Sequence, residues 1–172
     1  LDCEMVGIGE GGKKSVLARV SIVNWDGEVV LDTFVQVPTR VTDFRTWVSG
    51  VKPKDIREGS SAITPEDCRS RVAALLKGKI VVGHALKNDF SALMLSHPKE
   101  DIRDTSKFRR FQRYGGNKWR PRKLRDLVKE NLYLTIQAEG ESHDSIDDAK
   151  ATMELFKVVR EEWEASLARK KG

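Results

Sequence analysis

Two β-prone runs, residues 15–25 and 28–37, meet at Asp26-Gly27. Asp-Gly between two such stretches is a strong tight-turn signal, so the pair reads as an antiparallel hairpin. An apolar stretch over residues 1–6 precedes it and reads as a third strand. Behind the hairpin the pattern changes. Residues 39–60 read as irregular, with a short helical turn after Pro53. Thr64-Pro65-Glu66 opens a helix to about residue 77, with threonine as N-cap and proline at the first helical position. A short strand over 79–83, a helix over 86–96, a strand at Ile102, a helix over 121–131 and a long helix over 145–169 follow. On the last, Ala149, Met153, Phe156, Val159 and Trp163 keep one apolar face. The order βββ-α-β-α-β-α-α predicts an α/β fold, a mixed sheet covered by helices, in one domain spanning 1–172.

Composition excludes several classes. Cys3 and Cys68 are too few for a disulfide scaffold or a zinc site, and they read as free thiols. No apolar run approaches a membrane span, so no membrane partner is expected. The chain opens on Leu1-Asp2 in mid-pattern without an initiator methionine, and upstream sequence of the full protein is expected. The formal net charge is +5, and the cations are clustered. Between residues 103 and 129 eleven lysines and arginines face only Asp104 and Asp126, with Phe108, Phe111, Tyr114 and Trp119 interleaved. Cations beside flat rings suit a single-stranded nucleic acid, which needs phosphate neutralisation and stacking surfaces. The structural alternative is a solvated face whose rings anchor it to the core.

Gly7-Ile8-Gly9-Glu10-Gly11-Gly12 matches a dinucleotide-binding glycine pattern. Such a site needs a helix immediately afterwards, and residues 15–22 read as a strand, so the glycines read as a hairpin connection. Three other motifs carry chemistry. In Asp2-Cys3-Glu4-Met5, strand alternation puts Asp2 and Glu4 on one face. Two carboxylates there would repel unless a hard divalent cation lay between them, or unless both reached water at a strand end. In Gly83-His84-Ala85-Leu86-Lys87-Asn88-Asp89, a strand ends and Asp89 falls in the first turns of the next helix, where open α/β sheets bind ligands. An aspartate there is also favourable by the helix dipole alone, and His84 reads as packed at the strand end. In His143-Asp144-Ser145-Ile146-Asp147-Asp148, the spacing brings His143 and Asp148 toward one point. Ser145 and Asp148 also fit a capping box, with Asp144 and Asp147 facing solvent.

Each motif is weak alone, but their order is informative. Asp2, Glu4, Asp89, His143 and Asp148 resemble, in sequence, the pattern of the DEDD exonucleases, in the branch with histidine in the third motif. Asp2-Cys3-Glu4-Met5-Val6-Gly7, Leu17-Ala18-Arg19-Val20-Ser21, Val48-Ser49-Gly50, Gly83-His84-Ala85-Leu86 and Ile102-Arg103-Asp104-Thr105-Ser106 look like the RNA exonuclease 4 branch. The likeness covers nearly the whole chain and is weakest over residues 111–122.

The resemblance implies a ribonuclease H-like mixed five-stranded sheet, its first three strands antiparallel, flanked by helices. It implies a 3′→5′ exonuclease with two divalent cations, Mg²⁺ or Mn²⁺, held by Asp2, Glu4, Asp89 and Asp148. His143 would be the general base. Met5 would touch the terminal nucleotide and Arg45 its sugar or phosphate; core packing and a surface ion pair are their structural alternatives. Arg109, Arg110 and Arg113 would belong to a nucleic-acid patch. The expected partner is single-stranded RNA, with pre-ribosomal RNA as the family's substrate, the nucleus and nucleolus as its location, and a monomer as its form. The same site acting on DNA, or a catalytically silent RNA-binding scaffold, are the alternatives weighed.

Overall fold

The computed structural model describes residues 1–171. The chain begins with β1 (Asp2–Ile8), a 3₁₀ turn (Glu10–Gly12), β2 (Lys14–Val23) and β3 (Val29–Phe34). These strands pair as successive antiparallel neighbours. The β2–β3 turn sits where Asp26-Gly27 predicts it, with the Gly27 amide donating to the Asn24 carbonyl at 3.1 Å. The glycine run between β1 and β2 is a close-approach device rather than a cofactor loop. A Cβ on Gly7 would lie 2.5 Å from the Gly12 carbonyl oxygen, and one on Gly12 would lie 2.6 Å from Asp43 Cβ.

Residues 39–60 are more ordered than their composition suggests. They contain β4 (Val41–Asp43), paired antiparallel to the end of β1, then α1 (Thr46–Ser49) and α2 (Pro53–Ile56). β4 and α1 are only three and four residues long, too short for periodicity to reveal, while α2 is the helical turn expected after Pro53. Then come α3 (Pro65–Leu76), β5 (Val81–Gly83), α4 (Leu86–Leu93) and β6 (Ile102–Asp104). Thr64 caps α3 as expected, its hydroxyl oxygen accepting from the Asp67 amide at 3.2 Å. The hairpin strands β7 (Arg113–Gly115) and β8 (Lys118–Arg120) follow, then α5 (Leu124–Leu132) and α6 (Ser145–Lys171). Helix α5 starts three residues later than the sequence suggests. The preceding Arg122 carbonyl accepts from His84 Nε2 at 3.0 Å instead of joining a helix.

β5 and β6 are parallel, and the Leu1 nitrogen donates to the Val82 carbonyl at 3.0 Å, joining β1 to β5. The hydrogen-bonded order is β3-β2-β1-β4 in one antiparallel sheet, with β5 and β6 a separate parallel pair that the Leu1–Val82 bond sets beside the start of β1, rather than one continuous five-stranded ladder; the arrangement is ribonuclease H-like. Strand alternation divides the core between the two faces. Val20, Val35, Val81, Cys68 and Phe90 pack together under α3 and α4. Val82, Phe108, Phe111, Leu127, Leu155 and Trp163 pack under α5 and α6. A smaller cluster of Val6, Ala18, Val51 and Ile56 seats α2. The apolar face expected on α6 is present and extends to Ala151 and Leu155, with Met153 only partly buried.

Candidate active site

Strand β1 and the first turn of α6 bring Glu4, His143 and Asp148 together. One ligand atom from each lies within 4.8 Å of the others. Glu4 and Asp148 are buried, and His143 Nδ1 sits 3.9 Å from Asp148 Oδ2. His143 is aimed by its own backbone, whose amide donates to the Val48 carbonyl at 2.7 Å. Helix α1, missed in the sequence, is therefore a support for the histidine loop. The Ser145–Asp148 capping box does not form. Asp144 caps α6 instead, its Oδ1 accepting from the Ile146 amide at 2.8 Å. Ser145 is buried, 2.6 Å from Ser21 Oγ on β2, which pins the helix start to the sheet.

Asp89 enters from the other side of β1. The turn ahead of α4 holds Ala85 at φ 59°, a left-handed conformation that a Cβ disfavours. Asp104 stabilises that turn, its Oδ1 accepting from the Ala85 amide at 2.9 Å. Asp89 is thereby buried against β1, where it lines one cavity with Asp2 and Cys3. Met5, His84 and Asn88 line the same open cavity of about 560 Å³. Asp2 links the two halves of the site, since its carboxyl feels the charges of Asp89, Asp148 and Glu4.

The electrostatics are those of an anionic cluster without a counter-charge. Burial, then the neighbouring carboxylates, push Asp2 well above the ordinary range. Burial and Asp148 push Glu4 up to about 8, against the pull of Arg19. Burial raises Asp89 to about 6 and Asp148 to about 6. Asp148 Oδ2 accepts from the Gln137 amide at 2.7 Å, while its Oδ1 is buried without a hydrogen-bond partner. An orphaned carboxylate oxygen beside a second buried carboxylate suits a hard divalent cation. Burial, then the Arg125 cation, lowers His143 below its usual value. Its acidic sequence neighbours do not reverse this, and Asp144 is taken up by the helix cap and by Arg19 at 3.5 Å.

These shifts fix a pH dependence. A carboxyl raised on folding contributes stability that is full below its unfolded value and is lost as pH rises through its folded value. For Glu4 that window runs from about 4.5 to about 8. The metal-free protein is therefore expected to lose on the order of 3–5 kcal/mol from this group between acid and pH 8. Calorimetric melting in chelator should show the melting temperature falling over this range by roughly 10 °C, and Mn²⁺ should restore it most strongly at the alkaline end. A pH-independent melting temperature in chelator would contradict the cluster.

The other sequence candidates are placed as follows. Met5 lines the cavity with Asp2 and Asp89. Arg45 bonds inward: its guanidinium donates to Ser15 Oγ at 2.8 Å and to the Gly12 carbonyl at 2.7 Å, and lies 3.9 Å from Asp43. Ser15 lines the same cavity, so Arg45 stands behind its wall. The basic patch divides. Arg109 stacks 3.8 Å over the Trp119 ring, Arg110 pairs with Glu162 at 2.9 Å, and Arg113 is exposed. Of the interleaved rings, Phe108 and Phe111 belong to the core, and only Tyr114 and Trp119 are exposed. Gln137 and Arg125 were missed as site residues, since neither carries a local sequence signal.

The ribonuclease H-like fold thus carries Glu4, His143 and Asp148 at one point, with Asp2 and Asp89 lining the cavity beside them. The exonuclease (RNase_T) family model matches residues 1–156, and the chain belongs to this family, of the DEDDh type. It is 53% identical over 95% of its length to RNA exonuclease 4 of Kluyveromyces lactis, covering 54% of that protein. It is 46% identical over its whole length to RNA exonuclease 4 of Mus musculus, covering 38% of it. The chain thus spans about half or less of these curated relatives. Among solved structures, it resembles the Neurospora crassa Pan2 catalytic unit, with TM-score 0.80, 25% identity, and coverage of 99% of this chain and 28% of that one. The Saccharomyces cerevisiae Pan2 pseudoubiquitin hydrolase–RNA exonuclease module in complex with A7 RNA is similar too. Its TM-score is 0.80 at 29% identity, with coverage of 98% of this chain and 29% of that one.

Proposed function

We propose that the chain is a metal-dependent 3′→5′ exoribonuclease that releases nucleoside 5′-monophosphates from single-stranded RNA. The observation that carries this reading is the convergence of Asp2, Glu4, Asp89 and Asp148, the last three buried, beside His143. Asp2, Glu4 and Asp148 would hold one divalent cation, Mg²⁺ or Mn²⁺, and Asp2 with Asp89 a second. Such a pair of cations supplies an activated water and stabilises the negative charge on the leaving oxygen. The side chains do the rest. His143, neutral near pH 7, accepts the proton of the attacking water. The water oxygen bonds to phosphorus, the bond from phosphorus to the 3′ oxygen of the preceding nucleotide breaks, and that oxygen takes up a proton. Met5 packs against the terminal nucleotide. Arg45, whose guanidinium braces the Gly12–Ser15 wall, is the proposed contact to the terminal sugar or phosphate.

The likeness to RNA exonuclease 4 extends the proposal to ribosomal RNA precursors as substrate, to the nucleus and its nucleolus as the place of action, and to a monomeric enzyme. The test is digestion of labelled single-stranded and duplex RNA and DNA with Mg²⁺, Mn²⁺ or chelator. We expect single nucleotides from RNA with a free 3′ end, and none in chelator. DNA degraded as fast as RNA would move the proposal to a general exonuclease. Binding without hydrolysis under every metal would replace it with a silent scaffold.

A further inference from the structure

The chemistry above leaves the β7–β8 hairpin without a duty. Its connection, Gly116-Asn117, has φ of 59° and 61°, the two positive angles of a type I′ turn. The register sets Arg113 opposite Arg120, Tyr114 opposite Trp119 and Gly115 opposite Lys118. Side chains alternate, so Arg113, Lys118 and Arg120 share one face and the two rings share the other.

The aromatic face is covered at Trp119, while Tyr114 stays exposed. Its ring centroids lie 5.3 Å apart, and the Arg109 guanidinium covers Trp119. Arg109 starts a 3₁₀ turn (Arg109–Phe111) whose Phe111 is buried in the core, so this face ties the hairpin to the body. The cationic face is open. Nearby arginines have acidic partners, Arg110 with Glu162 and Arg122 with Glu130. Arg113, Lys118 and Arg120 are exposed and have no such partner among the described residues. Like charges directly opposite across a strand pair repel, and an isolated two-stranded hairpin is marginal in water. An anion bridging the pair removes the repulsion. Two residues beyond β8, the Arg122 carbonyl is held by His84, which lines the same cavity as Asp2 and Asp89. The hairpin is therefore anchored to the wall of the candidate active site.

We propose that this cationic face holds the sugar-phosphate backbone of the RNA strand upstream of the 3′ end being removed, with Arg113 and Arg120 closing on one phosphate and Lys118 on its neighbour. The proposal rests on the exoribonuclease reading of the same chain. Phosphate contacts of this kind position a strand without reading its sequence.

The test compares Arg113→Gln/Arg120→Gln with Lys77→Gln/Lys79→Gln, which removes two charges elsewhere on the surface. A labelled RNA dodecamer is titrated in chelator over a range of salt, and kcat/KM is measured on the dodecamer and a trinucleotide with Mg²⁺. The hairpin variant should lower the slope of log affinity against log salt by about 0.7 for each phosphate that it no longer neutralises. It should cut the dodecamer's advantage over the trinucleotide about tenfold, and the Lys77/Lys79 variant should do neither. An unchanged slope and length ratio in the hairpin variant, or equal losses in both variants, would overturn the proposal. The slope is read without turnover. A wild-type chain inert on both oligomers would thus count against the exoribonuclease reading, while the slope still decides the hairpin.

Discussion

Asp2→Asn abolishes turnover while leaving the fold intact: this is the largest effect expected of a single substitution. Asp2 is the residue whose carboxyl couples to Asp89, Asp148 and Glu4 at once, so in the proposed reading it would help to hold both cations. Asparagine keeps the shape but removes the charge and the hardest ligand oxygen. Rates on RNA with Mg²⁺ should fall to background, and the affinity for Mn²⁺ by calorimetry should fall with them. Asp89→Asn should behave likewise in turnover. Metal-free stability should move the other way. Removing one of several buried like charges relieves repulsion, so the asparagine variant should melt higher than the wild type in chelator at pH 8. A loss of activity accompanied by a lower melting temperature would point instead to a structural role. Unchanged Mn²⁺ affinity would remove Asp2 from the metal site.

The second large effect belongs to His143. His143→Ala should lower turnover by about 10²–10⁴-fold, the usual contribution of a positioned base. Burial and Arg125 both hold its pKa below the ordinary 6.5, so the ring is neutral and able to accept a proton at physiological pH. The acid limb of the pH–rate profile should therefore lie on the acid side of 6.5 in the wild type and change shape in the alanine variant. Arg125→Gln removes the cation and should move that limb toward higher pH, a response that a purely structural histidine would not give. An alanine variant with near-normal turnover and an unaltered profile would reduce His143 to a helix-entry residue.

The parts of this site that were legible in the sequence are those carried by regular spacing. Asp2 and Glu4 follow the period of a strand, and Asp148 follows the first turn of a helix capped by its own loop. Asp89 could be placed only through the order of the motifs, because an aspartate near a helix start is common for electrostatic reasons alone. What escaped depends on contacts between distant segments. Gln137 reaches Asp148 from an irregular loop, and Arg125 acts on His143 from another helix. Arg45 illustrates the same limit: nothing local shows that its guanidinium turns inward to Ser15 and Gly12. Phe108 and Phe111 looked like stacking surfaces in a basic stretch, yet both are core residues, since the 3₁₀ turn between them faces them toward Trp163 and Leu127. The β7–β8 hairpin did leave a trace, Gly116-Asn117, but three-residue strands are too short to show alternation.

The most direct measurement of the central claim is anomalous diffraction from a crystal soaked in Mn²⁺. Density is expected for a cation bound by Asp2 with Glu4 and Asp148 in the same shell, and it should disappear in Asp2→Asn. A chain that hydrolyses RNA while Mn²⁺ binds elsewhere, or leaves these carboxylates unligated, would contradict the claim.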